Sequence, residues 1–220
     1  STTQDPTTDG ESGPTDTDSD TGSTGTTSAD TGSSSSTGDD ILTVSELVAG
    51  DLVITEVMAN PNCLGDNCEW FELSNTTPFD IDLLNLGIGD RDDYDNEAPG
   101  TFITVSAVLP AGELGIIARE DLWPYDEEPL ARYSNAVQFS NTSFERVVVF
   151  SGVDVLDVTA TFLPNEQPGR SRMLLSASWD SEDHTDSDDW CWSNTVLPST
   201  STSDDWGTPG SDTIDCLPPA

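Results

Sequence analysis

Few side chains in this chain of 220 residues have the type and spacing to do chemistry. Glu56 and Glu72 lie on two strand-like runs that read as neighbours, and a pair of carboxylates is the minimum equipment for general acid–base work. Carboxylates are abundant throughout, however, so the pair reads first as sheet-face residues that cap loop amides or meet an arginine. His184, in Asp180-Ser181-Glu182-Asp183-His184-Thr185-Asp186, is the lone histidine. As a general base or metal ligand it has no G-x-S-x-G elbow and no activated cysteine to serve, so it reads as a solvated loop residue. The run Asp90-Arg91-Asp92-Asp93-Tyr94-Asp95-Asn96-Glu97 offers closely spaced hard oxygens of the kind calcium takes, with Asp90, Asp92, Asp93 and Asp95 as the candidate ligands. It lacks the EF-hand pattern, and an exposed charged loop is the competing reading. The run 180–189 has the same ambiguity.

Four cysteines, Cys63, Cys68, Cys191 and Cys216, allow three disulfide pairings. The favoured one is Cys63–Cys68 with Cys191–Cys216, because each bond closes a turn-rich segment locally. A zinc site is the alternative, but no C-x-x-C is present and the distant pairs would have to converge. Six tryptophans raise the possibility of a glycan platform; Trp70, Trp190 and Trp192 read as core, and Trp123 as the exposed candidate. Asn75-Thr76-Thr77 and Asn141-Thr142-Ser143 match the acceptor pattern for N-linked sugar.

The elements that must position these residues are strands. Leu52 to Ala59 alternates, with Val53, Thr55 and Val57 on one face and Leu52, Ile54, Glu56 and Met58 on the other. Asn60-Pro61-Asn62 turns the chain, and Glu69-Trp70-Phe71-Glu72-Leu73 returns it. Further strands are expected at Phe79 to Leu83, Leu84 to Ile88, Thr101 to Val105, Leu114 to Ala118, Ala136 to Phe139 and Arg170 to Ser176. The strongest signal, Glu145 to Phe150, forms a hairpin with Val153 to Thr159 through Ser151-Gly152. Arg119 to Asn135 reads as a long loop. Sustained helical periodicity is absent, so the pattern implies an all-β antiparallel sandwich or barrel.

Composition divides the chain. In residues 1–40, Thr, Ser, Gly, Pro, Asp and Glu fill 38 positions, so this stretch cannot offset a chain entropy of roughly 1–2 kcal/mol per residue and reads as a disordered linker. It holds nine acidic and no basic residues, and charge repulsion extends it into a stalk. Residues 41–220 suffice for one domain, with 33 acidic residues against six arginines and no lysine. That surface disfavours nucleic acid and anionic membrane as partners, and leaves cations, basic proteins and neutral glycans. Neither a signal peptide nor a transmembrane segment is visible, and the opening in linker sequence fits a processed, exported product.

The combination resembles the lamin-tail domain. The resemblance is carried by Val53-Ile54-Thr55-Glu56-Val57-Met58-Ala59-Asn60-Pro61, Glu69-Trp70-Phe71-Glu72-Leu73-Ser74-Asn75 and Asp80-Ile81-Asp82-Leu83 leading to Leu86-Gly87-Ile88. Leu109-Pro110-Ala111-Gly112, the hairpin 147–159, Trp190-Cys191 and Gly207-Thr208-Pro209-Gly210 continue it in the family's order, over about 50 to 210. It implies an immunoglobulin-like β-sandwich of the type found in secreted and surface proteins of bacteria, and the stalk is similar to that of surface lipoproteins. No coiled-coil rod and no basic patch accompany it, so filament formation and DNA binding are not implied. The expected function is a non-catalytic extracellular binding or adhesion module for a protein or glycan at the cell surface. The alternative is a fibre or surface-layer subunit that self-associates by adding the strand around Ile41 to Val48 to a neighbouring copy.

Overall fold

The computed structural model describes residues 41–63, 67–120, 123–179, 183–198, 204–211 and 216. The linker expected at 1–40 lies outside them, as do residues 64–66 and 180–182. The chain is all-β with little helix. Its strands are β1 (Leu42–Thr43), β2 (Leu52–Met58), β3 (Trp70–Asn75), β4 (Ile81–Asp82), β5 (Leu86–Gly89), β6 (Thr101–Phe102), β7 (Val108–Leu109), β8 (Leu114–Arg119) and β9 (Ala131–Tyr133). They continue with β10 (Val148–Ser151), β11 (Asp154–Val158), β12 (Arg172–Leu174), β13 (Trp190–Trp192), β14 (Val196–Leu197) and β15 (Asp205–Trp206).

Six strands make the main sheet, in the order β13-β12-β2-β3-β8-β9. A second sheet runs β11-β10-β5-β6, and β1-β4-β7 form a third. Pairing is antiparallel except at β1–β4 and β8–β9. Phe71 and Leu73 of β3, Ile117 of β8 and Leu174 of β12 pack in one cluster with Leu86, Ile88, Val149 and Leu156 of the second sheet. This is the sandwich core, and full burial of each such side chain stabilises by about 1.5–3 kcal/mol.

The main sheet is buried on its other face too. Met58, Trp70, Ile116 and Ala118 form a second cluster there with Cys63, Cys68, Tyr125 and Leu197. The alternation in β3 thus divides Phe71 and Leu73 from Trp70 and Glu72, as its sequence predicts. In β2 the alternation is interrupted. The register passes from Ile54 opposite Leu73 to Glu56 opposite Glu72, leaving Thr55 as the extra residue of a bulge. The bulge reverses the parity, so Ile54 and Val57 both join the sandwich core while Glu56 and Met58 face outward. The simple two-face assignment made from the sequence is corrected in that respect.

Other expectations change in detail. The loop Arg119 to Asn135 contains β9, which adds in parallel to β8. Ala136 to Phe139 is not a strand, although Val137 and Phe139 are buried in the core. Thr101 to Val105 shortens to the two residues of β6. The acidic run becomes a short helix, α1 (Arg91–Asp95), because Asp90 caps it. Among the described residues no helix is long and apolar enough to cross a membrane.

Candidate functional site

Glu56 and Glu72 face each other across β2 and β3, and each is 1% exposed. Their oxygens receive donors from the chain's last stretch. The Thr208 backbone N–H donates to Glu56 Oε1 at 2.8 Å and the Thr208 hydroxyl to Oε2 at 3.2 Å. Ser171 Oγ also donates to Glu56 Oε1. Glu72 accepts the Gly210 backbone N–H at Oε2 and the Thr55 hydroxyl at Oε1, the latter at 2.7 Å. The two carboxylates therefore hold the strap Gly207-Thr208-Pro209-Gly210 across the outer face of the main sheet. Gly207 is required by the closeness of this approach: a Cβ there would lie 2.9 Å from Glu56 Oε1 and 3.2 Å from Trp70.

Burial raises Glu56 to about 7, against the opposing pull of its Ser171 and Thr208 donors. Burial also raises Glu72, helped by the charge of Glu56, to about 8. A shared pair of this kind has the electrostatics of an acid–base dyad. Its oxygens, however, are turned to the protein's own amides and hydroxyls, as the capping reading of these residues anticipates.

The strap is fixed at further points. Tyr125 Oη donates to Asp205 Oδ2 at 2.9 Å, and the Asn62 N–H to Asp205 Oδ1 at 2.8 Å. Trp206 stacks under Arg170, whose guanidinium carbon lies 4.3 Å from the ring centroid. Cys191 and Cys216 are at disulfide distance with Cα atoms 5.5 Å apart, and Cys63 and Cys68 likewise at 6.4 Å. These are the two pairs favoured on sequence spacing. Asp205 and Tyr125 escaped the sequence reading because 80 residues separate them and neither carries a local signal.

His184 is not the solvated residue its acidic neighbours suggest. It is 1% exposed, with Nδ1 2.8 Å from Asp157 Oδ1 and Nε2 2.9 Å from the Ser178 carbonyl. A carbonyl oxygen only accepts, so Nε2 donates, and a proton on Nδ1 as well makes the ring an imidazolium against the carboxylate. Burial opposes that charge, but the Asp157 carboxylate and the Ser178 carbonyl outweigh it and raise the His184 pKa. Asp157 Oδ2 in turn accepts the Ile54 N–H at 2.6 Å. β12 pairs with β2 only at Glu56 and Val57, so Ile54 has no strand partner on that side. The His–Asp pair plugs the gap beside the bulge.

Of the four aspartates offered for calcium, Asp90, Asp92 and Asp93 have other partners, and Asp95 lines a surface cleft. Asp90 Oδ1 accepts the Asp92 and Asp93 N–H groups at 2.8 and 3.1 Å, and Asp93 Oδ2 accepts the Asp90 N–H at 3.1 Å. Asp92 pairs with Arg91 at 2.9 Å. Glu145, missed in the sequence, orders the neighbouring loop by accepting the Arg91 and Ser140 N–H groups. Among the described residues no three His, Cys, Asp or Glu side chains converge as a metal-holding group. Glu69 and Arg119 form a buried ion pair at 2.9 Å. Trp123 is half-buried, edge-on to Tyr125, with its indole N–H donating to the Glu127 carbonyl.

The segment Ile41 to Val48 is docked on its own domain. Leu42 and Thr43 pair with Ile81 and Asp82, and Val44 and Leu47 lie in the sandwich core. On the surface, a cleft of about 730 Å³ is lined by Tyr94, Asp95, Asn96, Glu97, Val153, Asp154 and Val155. Comparison of the chain with protein-family models, with characterised proteins and with solved structures found no match.

Proposed function

We propose that the chain is a lamin-tail-like domain that acts outside the cell as a non-catalytic binding or adhesion module, presented on its acidic stalk to a protein or glycan at the cell surface. One observation carries this reading: the side chains best equipped for chemistry point inward and bind the protein's own backbone. Glu56 and Glu72 hold the strap, Asp157 and His184 plug the bulge, and Asp90 and Asp93 cap a helix. Such an arrangement yields a durable scaffold whose loops and clefts are left for recognition. The motifs on which the family resemblance rests also meet in space, Glu56 and Glu72 from two of them gripping Gly207 to Gly210 from a third. The two cysteine pairs fit an oxidising location. The cleft at Tyr94 and Val153 has an acidic rim, suited to a cationic or hydrogen-bonding partner.

The test is the assembly state and binding of the full chain. Light scattering and negative-stain microscopy, with and without calcium, are expected to give a monodisperse monomer, and that monomer to bind surface glycans or cells saturably. Fibres would instead make the protein a structural subunit. Val44 and Leu47 would then have to leave their own core for that of a neighbour.

A further inference from the structure

We propose that Asn141 is an acceptor for an N-linked glycan, a modification that requires the exported location argued above. Two stretches carry the Asn-X-Ser/Thr pattern, and the fold separates them. Asn75 ends β3 fully buried. Its Nδ2 donates to the carbonyls of Phe79, Leu109 and Pro110 at 2.8, 3.0 and 3.1 Å. Its Oδ1 accepts the N–H and the hydroxyl of Thr77 at 3.0 and 2.8 Å, so the threonine of the pattern is engaged as well. A sugar on Asn75 would displace that network, and folded protein carries none there.

Asn141 is placed differently. It lies in the irregular stretch 140–144, where Thr142, Ser143 and Phe144 are exposed. The loop is held from beneath: the Ser140 N–H donates to Glu145 Oε2 at 2.8 Å, and Ser140 Oγ accepts the Thr142 and Ser143 N–H groups at 3.4 and 3.1 Å. Asn141 is half-buried, and its Oδ1 is shielded with no hydrogen-bond partner, so the carboxamide is not tied into a network as that of Asn75 is. Phe144, 57% exposed, offers an apolar ring against which the C–H face of a first sugar can rest.

The chemistry is a group transfer. Asn141 Nδ2 bonds to the anomeric carbon of a lipid-pyrophosphate-linked oligosaccharide. The bond from that carbon to the pyrophosphate oxygen breaks, the lipid pyrophosphate leaves with the electron pair, and the amide gives up one proton.

The full chain, given an export leader in a host that glycosylates a control protein on the same pattern, is analysed by peptide mapping and intact mass. The expected result is a glycan on Asn141 and none on Asn75 in the folded fraction. Ser143→Ala, which leaves Asn141 in place on an exposed loop, is expected to abolish the modification, and Ser143→Thr to preserve it. An unmodified Asn141 in that host, a glycan on Asn75, or a glycan surviving Ser143→Ala would each overturn the proposal. Because the leader supplies export, a negative result bears on the site and not on where the protein resides.

Discussion

Two buried groups, Glu72 and His184, make the stability of this domain depend on pH, and their windows differ. Glu72 has a folded pKa of about 8, above its ordinary value of 4.5, so its charged form is disfavoured in the folded state. Folding stability therefore falls as pH rises from about 4.5 towards 8. His184 has a raised pKa, and its contribution is complete below about 6.5 and lost as pH rises through the folded value. Both slopes have the same sign, but the histidine's begins later. Chemical denaturation between pH 4.5 and 8 is expected to show wild-type stability falling throughout, with Glu72→Gln flattening the slope by a few kcal/mol at most. His184→Gln is expected to cost about 3 kcal/mol near pH 6, because it leaves Asp157 buried without its counter-charge, and to lose that deficit towards high pH. A Glu72→Gln protein with the wild-type slope would place the titration elsewhere.

Among the elements, the strap is the one most sensitive to a small change. Gly207→Ala puts a methyl group against Glu56 and Trp70, and overpacking of this kind costs typically about 1–3 kcal/mol. Hydrogen exchange is expected to quicken at the Thr208 and Gly210 amides first, since their acceptors are the two glutamates, while the sandwich core keeps its protection. The strands that form the sandwich were legible in the sequence, because Trp70-Phe71-Glu72-Leu73 and Val147 to Thr159 alternate over a half-buried or doubly buried face. The bulge at Thr55 was not, since nothing local distinguishes a paired residue from an extra one. β9 was hidden in a stretch rich in proline and acid, where pairing is set by β8 and not by propensity. His184 was misjudged for the same kind of reason. Its neighbours in sequence are acidic and polar, and its burial depends on Asp157, 27 residues earlier on β11.

At the scale of the whole molecule, the charge is nearly one-sided, at −36, with six arginines against 42 acidic residues. Arg119 is buried against Glu69, and Arg146, Arg170 and Arg172 lie over the rings of Tyr94, Trp206 and Phe162. The remaining acids repel one another, which opposes compactness. The melting temperature is accordingly expected to rise as ionic strength increases from about 0.01 M to about 1 M, which shortens the screening length from about 30 to 3 Å. Scanning calorimetry across that range checks it, and a falling melting temperature would mean that attractive pairs dominate. The strap also fixes the order of events during synthesis. Thr208 meets Glu56 across 152 positions, and Gly210 meets Glu72 across 138. Until that late stretch has left the ribosome, β2 and β3 can pair and the sandwich can close, yet the two carboxylates lack the donors of Thr208 and Gly210. A protease cutting ahead of Thr208 would leave a protein with its principal sheets assembled and Glu56 and Glu72 buried without the strap's donors.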